Sequence, residues 1–235
     1  MFGKKNFRNY VSGPRELIVE KQPKAPVSEQ FRAVRTNIMY SNIDTEIKAV
    51  LVTSATPGAG KSTTAANLAV AYAQSGNRTI LIDADLRRPT MHYTFEITNR
   101  RGMTTAIVNS VPIENIVRET LVENLDLITS GPIPPNPSDL LLSNKMKHLL
   151  KTFSIHYDMV IVDSSSLLET SDALSISKIT DGTVLVTDVT ENNRDMLLEA
   201  KNMLSKADAN ILGVVMNNKK MKKDNYYYHH GSEEK

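Results

Sequence analysis

Short β-branched runs alternate with longer helical patterns, and a glycine-rich loop separates the first run from the helix behind it. Together these predict an α/β domain, doubly wound, with a mainly parallel sheet and helices on both faces. The strand candidates are 47–53, 79–83, 125–129, 158–162, 183–187 and 211–216, and helices are expected at about 61–75, 143–153 and 194–207. In the first of these helices Ala65, Leu68, Ala69 and Tyr72 share a face, and Gly76 supplies the stop. In the second, Met146, Leu149, Leu150 and Phe153 keep helical spacing behind a Ser143 cap.

The 235 residues suit one core rather than two. There is no cysteine, which excludes disulfides, thiolate metal sites and cysteine nucleophiles. No apolar run approaches the roughly 18 residues of a membrane span. The start, Met1 to Arg8, is cationic without a hydrophobic segment behind it, which predicts no signal peptide and a cytoplasmic location. A net charge of +2 is too small to point to nucleic acid.

Three regions are expected. Residues 1–27 hold six lysines and arginines against Glu16 and Glu20, and Pro14, Pro23 and Pro26 interrupt any helix, so they read as an extended basic arm. Residues 28–216 form the domain proper. It opens with a helix from Ser28 to about Asn42, capped by Ser28, with Phe31, Val34 and Ile38 at helical spacing. Residues 217–235 form a polar, mobile tail.

The most informative stretch is Val52 to Thr63, between a strand and a helix. Its core, Pro57-Gly58-Ala59-Gly60-Lys61-Ser62, is a Walker A phosphate loop with Ala55 in place of the usual first glycine, followed by Thr63. The two glycines let the backbone curl so that successive N–H groups face phosphate oxygens, and the following helix adds its N-terminal partial charge. Lys61 is placed to reach the β- and γ-phosphates of ATP, and the Ser62 hydroxyl to complete Mg²⁺ coordination.

Two further strands end in aspartate: Asp83, with Asp85 just beyond it, and Asp163. In an open parallel sheet that edge is where ligands bind. Three carboxylates would repel a triphosphate unless a divalent cation intervened, which makes Ser62, Asp83, Asp85 and Asp163 the expected Mg²⁺ set. Asp163 reads as the Walker B aspartate. Asp83 is the expected base or nucleophile-orienting group and Asp85 a second metal or water contact, though the order of those two stays open. Arg87 and Arg88 either contact phosphate or pair at the surface.

The Walker A loop together with Asp83-Ala-Asp85-Leu-Arg-Arg-Pro89 resembles the bacterial tyrosine kinase family, and the likeness runs from about Ser28 to the C-terminus. It includes Glu29, Arg32 and Arg35, spaced as in that family's oligomerisation helix. It also includes Ser130 to Pro137 and the cluster Tyr226, Tyr227 and Tyr228, which looks like the family's autophosphorylation site. Read alone, Asn136-Pro137-Ser-Asp139 is simply a good helix start, and Glu29 can pair locally with Arg32. The resemblance implies an ATP- and Mg²⁺-dependent protein-tyrosine kinase of the soluble Gram-positive type. It would form a ring-like homo-oligomer and meet the cytoplasmic tail of a transmembrane polysaccharide co-polymerase at the inner face of the membrane. It would phosphorylate its own tail in trans and then other protein tyrosines, regulating capsule and exopolysaccharide export. Asn217 is implied as an adenine contact.

The sequence departs from the family where Ser164-Ser165-Ser166 replaces Thr-Pro-Pro, a change expected to free the backbone and add hydroxyls near the metal. A partitioning or division-site ATPase is the main competitor, but Thr56 occupies the position of its extra lysine. A non-catalytic, nucleotide-dependent assembly subunit is a further alternative.

Overall fold

A computed structural model of the chain describes residues 14–41, 46–191 and 193–219. The first part of the expected arm, the end of the expected first helix and Tyr226, Tyr227 and Tyr228 lie outside those residues. Among the described residues one seven-stranded sheet forms from β1 (Ala49–Ser54), β2 (Thr79–Asp83), β3 (Arg118–Glu119), β4 (Leu125–Ile128), β5 (Met159–Asp163), β6 (Gly182–Asp188) and β7 (Ile211–Asn217). Their spatial order is β3-β4-β2-β5-β1-β6-β7. All pairings are parallel except that of β3 with β4, so the predicted doubly wound sheet is present with one antiparallel edge.

Strands β1, β2, β5 and β6 are buried along their whole length because helices cover both faces. Alternate residues therefore belong to different cores. Val50, Val52, Leu81, Ile161, Val184 and Val186 face the helix α3 (Lys61–Ala73), and Ala49, Leu51, Ile80, Ile82, Val160 and Val162 face α7 (Asn144–His156). Ser143 caps α7 by accepting the Met146 N–H at 3.2 Å, as its sequence predicts. The helix α9 (Arg194–Lys206) completes the second face through Ala200 and Leu204, which are fully buried with Leu185 and Leu167.

The N-terminal segment differs from expectation. Residues 14–27 are not an extended arm: Ile18–Lys21 form a helical turn, α1, and Val19 is wholly buried against α3. The buried Asn67 of α3 explains the docking. Its Oδ1 accepts the Val19 N–H at 3.0 Å and its Nδ2 donates to the Glu16 carbonyl at 2.8 Å, which satisfies backbone groups that the prolines leave without a helix. The next helix, α2 (Pro26–Met39), begins two residues before Ser28, with Ala25 at its N-cap and Pro26 in its first turn. Ser28 does not cap it; its hydroxyl donates to the Gln22 carbonyl at 2.7 Å and ties α1 to α2.

Short elements escape the periodicity. These are α4 (Met91–Thr94), α5 (Met103–Asn109), α6 (Pro137–Leu141), α8 (Asp172–Ser177), a 3₁₀ turn at Ile113–Asn115 and the two-residue β3. None is long enough to show a period, although Asn136-Pro137 correctly marks the start of α6 with proline in its first turn.

If residues 14–21 are part of the fold, Val19→Ala destabilises the whole domain by about 1–3 kcal/mol, from lost burial plus the cavity left behind. An unchanged urea midpoint would refute that packing.

Candidate active site

The site lies at the carboxyl ends of β1, β2 and β5. Parallel register sets Val52 beside Asp163 and Asp163 beside Asp83, so the loop that leaves β1 passes directly over two strand-end aspartates. The loop residues Gly58 and Gly60 have φ of +82° and +92°, a region open to glycine at little cost. Gly60 is also the N-cap of α3, with no side-chain cap to compete for the free N–H groups. A Cβ at Gly60 would stand 2.1 Å from Asn217 Nδ2, and that amide donates to the Ala59 carbonyl at 3.1 Å. Asn217, at the end of β7, is thus seated on the loop.

Lys61, Asp85 and Ser62 make one contact group. The Lys61 ammonium meets Asp85 Oδ2 at 2.7 Å and the Ser62 hydroxyl at 3.2 Å, and Asp85 Oδ1 accepts the Arg88 N–H at 3.0 Å. Burial alone would lower the Lys61 pKa, but the charges of Asp163, Asp85 and Asp83 outweigh it and hold the ammonium above its ordinary value. For Asp85, burial pushes upward, and the Lys61 charge with its hydrogen bond more than offsets it, leaving the carboxyl below the usual range.

Asp83 and Asp163 behave differently. Both have no exposure. Asp83 Oδ2 accepts the N–H groups of Thr90 and Met91, each at 3.0 Å, while its Oδ1 has no partner among the described residues. Neither oxygen of Asp163 makes a well-formed hydrogen bond, although the Ser62 hydroxyl stands close enough to favour its charged form. Burial raises both carboxyls, and Asp163 pushes Asp83 higher still; Lys61 partly offsets the rise at Asp163. A cavity of about 980 Å³ opens over this floor, with Gly58, Lys61, Ser62, Asp85, Asn217 and Arg15 among its wall residues.

The expected three-carboxylate metal set does not assemble. Among the described residues no group of three or more acidic, histidine or cysteine side chains is arranged to hold a metal, and Asp85 is engaged by Lys61. What remains fits magnesium in another way. Mg²⁺ in nucleotide sites takes one or two carboxylates, a hydroxyl and phosphate oxygens, and the open oxygens of Asp163 and Asp83 beside Ser62 are such donors.

Arg87 is not free for phosphate. Its Nε is 2.8 Å from Asp172 Oδ2, and Asp172, buried at the start of α8, also accepts the Ser138 hydroxyl at 2.6 Å. Arg88 reaches Glu169 at 4.0 Å. On α2, Glu29 pairs with Arg32 as expected, and Arg32 also donates to the Pro23 carbonyl at 2.7 Å. Arg35 turns inward and donates to the Ala71 carbonyl of α3 at 2.8 Å.

The serine run is not loosened by its missing prolines. Thr53 donates to the Ser165 carbonyl at 2.8 Å, the Ser54 and Ser166 hydroxyls meet at 3.2 Å, and those of Ser165 and Thr170 at 2.7 Å. The N–H groups of Leu167 and Leu168 bind the carbonyls of Ser54 and Ala55. Hydroxyls here do what ring rigidity would otherwise do.

The family model ParA, described as a NUBPL iron-transfer P-loop NTPase, matches residues 46–231. The putative tyrosine-protein kinase CapB of Staphylococcus aureus is 42% identical over 201 residues, covering 86% of this chain and 88% of CapB. Tyrosine-protein kinase YwqD of Bacillus subtilis is 43% identical over 203 residues, 86% of each chain. The chain belongs to the bacterial tyrosine kinases.

The fold of this tyrosine kinase agrees. The crystal structure of the chimerical protein CapA2B2 superposes with a TM-score of 0.84 at 41% identity, over 89% of this chain and 93% of that one. The tyrosine kinase therefore carries a P-loop nucleotide site, and no described helix is long and apolar enough to cross a membrane. Sequence reasoning missed three of the site's supports: Thr90 and Met91, which hold Asp83 by their backbone, and Arg15 on the wall. Asn67 left one visible signal, a polar residue inside the apolar face of α3.

The buried Asp163 carboxylate yields a pH test. Well below pH 4 its folded and unfolded forms are both protonated. At higher pH the unfolded chain ionises freely while the folded chain must hold the charge away from water, so stability falls. Asp163→Asn is expected to stabilise the nucleotide-free kinase by about 1–2 kcal/mol at pH 7.5, with the gain shrinking towards pH 4. Thermal melts across that range check it.

Proposed function

We propose that this kinase transfers the γ-phosphoryl group of ATP first to Tyr226, Tyr227 and Tyr228 of a neighbouring copy and then to tyrosines of other proteins, and that it so regulates capsular or exopolysaccharide production. The observation that carries this reading is the pairing of Lys61 with Asp85 on the wall of an open cavity. Nucleotide phosphates compete for the Lys61 ammonium; once it turns to them, an ionised carboxylate is left facing the acceptor.

The step balances simply. The tyrosine oxygen forms a bond to the γ-phosphorus as the bond to the ADP oxygen breaks, and the tyrosine proton passes to a carboxylate. Asp85 is the carboxylate that lines the cavity, and Lys61 keeps it ionised until nucleotide arrives; release from Lys61 raises its basicity. The sequence left the order of Asp83 and Asp85 open, and this reading gives Asp85 the role of base. Asp83 and Asp163, beneath the cavity, are the carboxylates that would hold magnesium with Ser62 and thereby supply charge neutralisation to the phosphates. Pro57, Ala59 and Thr63 frame the loop and its first helical turn, and Asn217 contacts the adenine end.

Oligomerisation fits α2, where Glu29 and Arg32 keep 63% and 27% of their side-chain surface exposed. Arg35 supports α2 from within, through Ala71. The kinase works in the cytoplasm and is recruited to the inner membrane face by the cytoplasmic tail of a polysaccharide co-polymerase adaptor. Residues 217–235 carry five lysines against Asp224, Glu233 and Glu234. Three phosphates take that tail to about −3 or −4, which expels it from an acidic site and loosens the oligomer.

Phosphotyrosine mapping after incubation with Mg-ATP, with and without adaptor tail, tests the activity. Phosphate is expected on Tyr226, Tyr227 and Tyr228 and is expected to vanish with Lys61→Met; phosphate release without phosphotyrosine overturns the reading. Light scattering tests the consequence: triple phosphorylation lowers the oligomer mass, and an unchanged mass rules out expulsion.

A further inference from the structure

One wall of the nucleotide cavity is built by a residue outside every motif. Arg15 stands there with Gly58, Lys61, Ser62 and Thr63, although it precedes the phosphate loop by more than forty residues in sequence. Its place is fixed from three directions. Its own N–H donates to Thr94 Oγ1 at 2.9 Å, the next carbonyl, of Glu16, is held by Asn67 Nδ2, and Val19 is sealed against α3. Asn67 also donates to the Thr63 carbonyl at 2.9 Å, so one buried amide joins the first turn of α3 to the segment that carries Arg15.

The direction of approach matters. Thr94 closes α4, and the start of α4 supplies the N–H groups that hold Asp83. Arg15 therefore enters from the side of the strand-end aspartates, and its charge is felt at Asp163. Asn217, seated on Ala59 and Gly60, marks a different part of the loop. Unlike Arg87 and Arg32, Arg15 has no hydrogen bond or ion pair from its guanidinium among the described residues. A guanidinium is always charged and presents a fork of donors suited to phosphate oxygens.

We propose that Arg15 contacts the γ-phosphoryl group of bound ATP, so that residues 14–21 complete the active site in cis. The inference rests on the reading of this site as one that binds ATP for transfer. Charge spreads over the γ-phosphoryl oxygens as transfer proceeds, and Lys61 alone must also offset the aspartates beneath it.

The test compares ATP, as a non-hydrolysable analogue, with ADP on the full chain carrying Arg15→Ala or Arg15→Lys. Equilibrium titration in Mg²⁺ is expected to show roughly tenfold weaker binding of the analogue to Arg15→Ala, with ADP changed less than about twofold, and Arg15→Lys restoring part of the difference. Phosphotransfer is expected to fall roughly 10²-fold. Equal losses for both nucleotides with a lowered urea midpoint would assign Arg15 to packing and overturn the proposal, as would an unchanged preference for ATP. Because binding is read apart from chemistry, a wild-type chain that binds ATP but leaves tyrosine unmodified would sink the kinase reading while the Arg15 contact is still decided by the titration.

Discussion

Negative charge held out of water at the carboxyl edge of the sheet is the constraint on which the rest of this molecule depends. Three aspartates converge where β2 and β5 end, two of them with no exposure at all. A fold does not tolerate that without compensation. Part of it comes from the protein itself: Lys61 pairs with Asp85, and the backbone of Thr90 and Met91 holds one oxygen of Asp83. The remainder is left open at Asp163 and at the second oxygen of Asp83. Those open oxygens are what the proposed magnesium site would use, since oxygens already satisfied by protein have nothing to offer a cation.

The surroundings can be understood as devices that keep this edge in place. Glycines at positive φ bend the loop over the aspartates, and Asn217 from the far edge strand props it. The serine run is pinned to β1 and to the loop entrance by hydroxyl and backbone contacts. Asp172, itself buried, fixes Arg87 and so the turn that follows Asp85. Apart from the glycines, these devices use polar side chains that are paired, which is what permits so polar a region near an apolar core.

Much of this was legible in the sequence. Six apolar runs marked the parallel strands, four of them plainly because they are buried on both faces, and the phosphate loop carried its own context of strand before and helix after. The residues Gly58, Gly60, Lys61, Ser62, Asp83, Asp85 and Asp163, singled out from sequence, lie together at one edge of the sheet. What the sequence hid depends on tertiary contact. Nothing local says that Asp85 rather than Asp83 meets Lys61, since that follows from the path of one turn. Nothing in a proline-broken basic stretch says that Val19 is buried, since the partner that buries it, Asn67, lies some fifty residues away. Ser28 looked like a cap because its type suits one, while Pro26 had already begun the helix.

The amide of Asn67 has a mechanical consequence. It grips the chain at Glu16 and Val19 on one side and the carbonyl of Thr63, two residues past Lys61, on the other. Together with the Arg15 N–H on Thr94, this ties the segment to the opening turn of the helix that follows the phosphate loop. One side chain therefore positions both the segment that carries Arg15 and the turn that carries Lys61, so a change at either is felt at the other through a single amide.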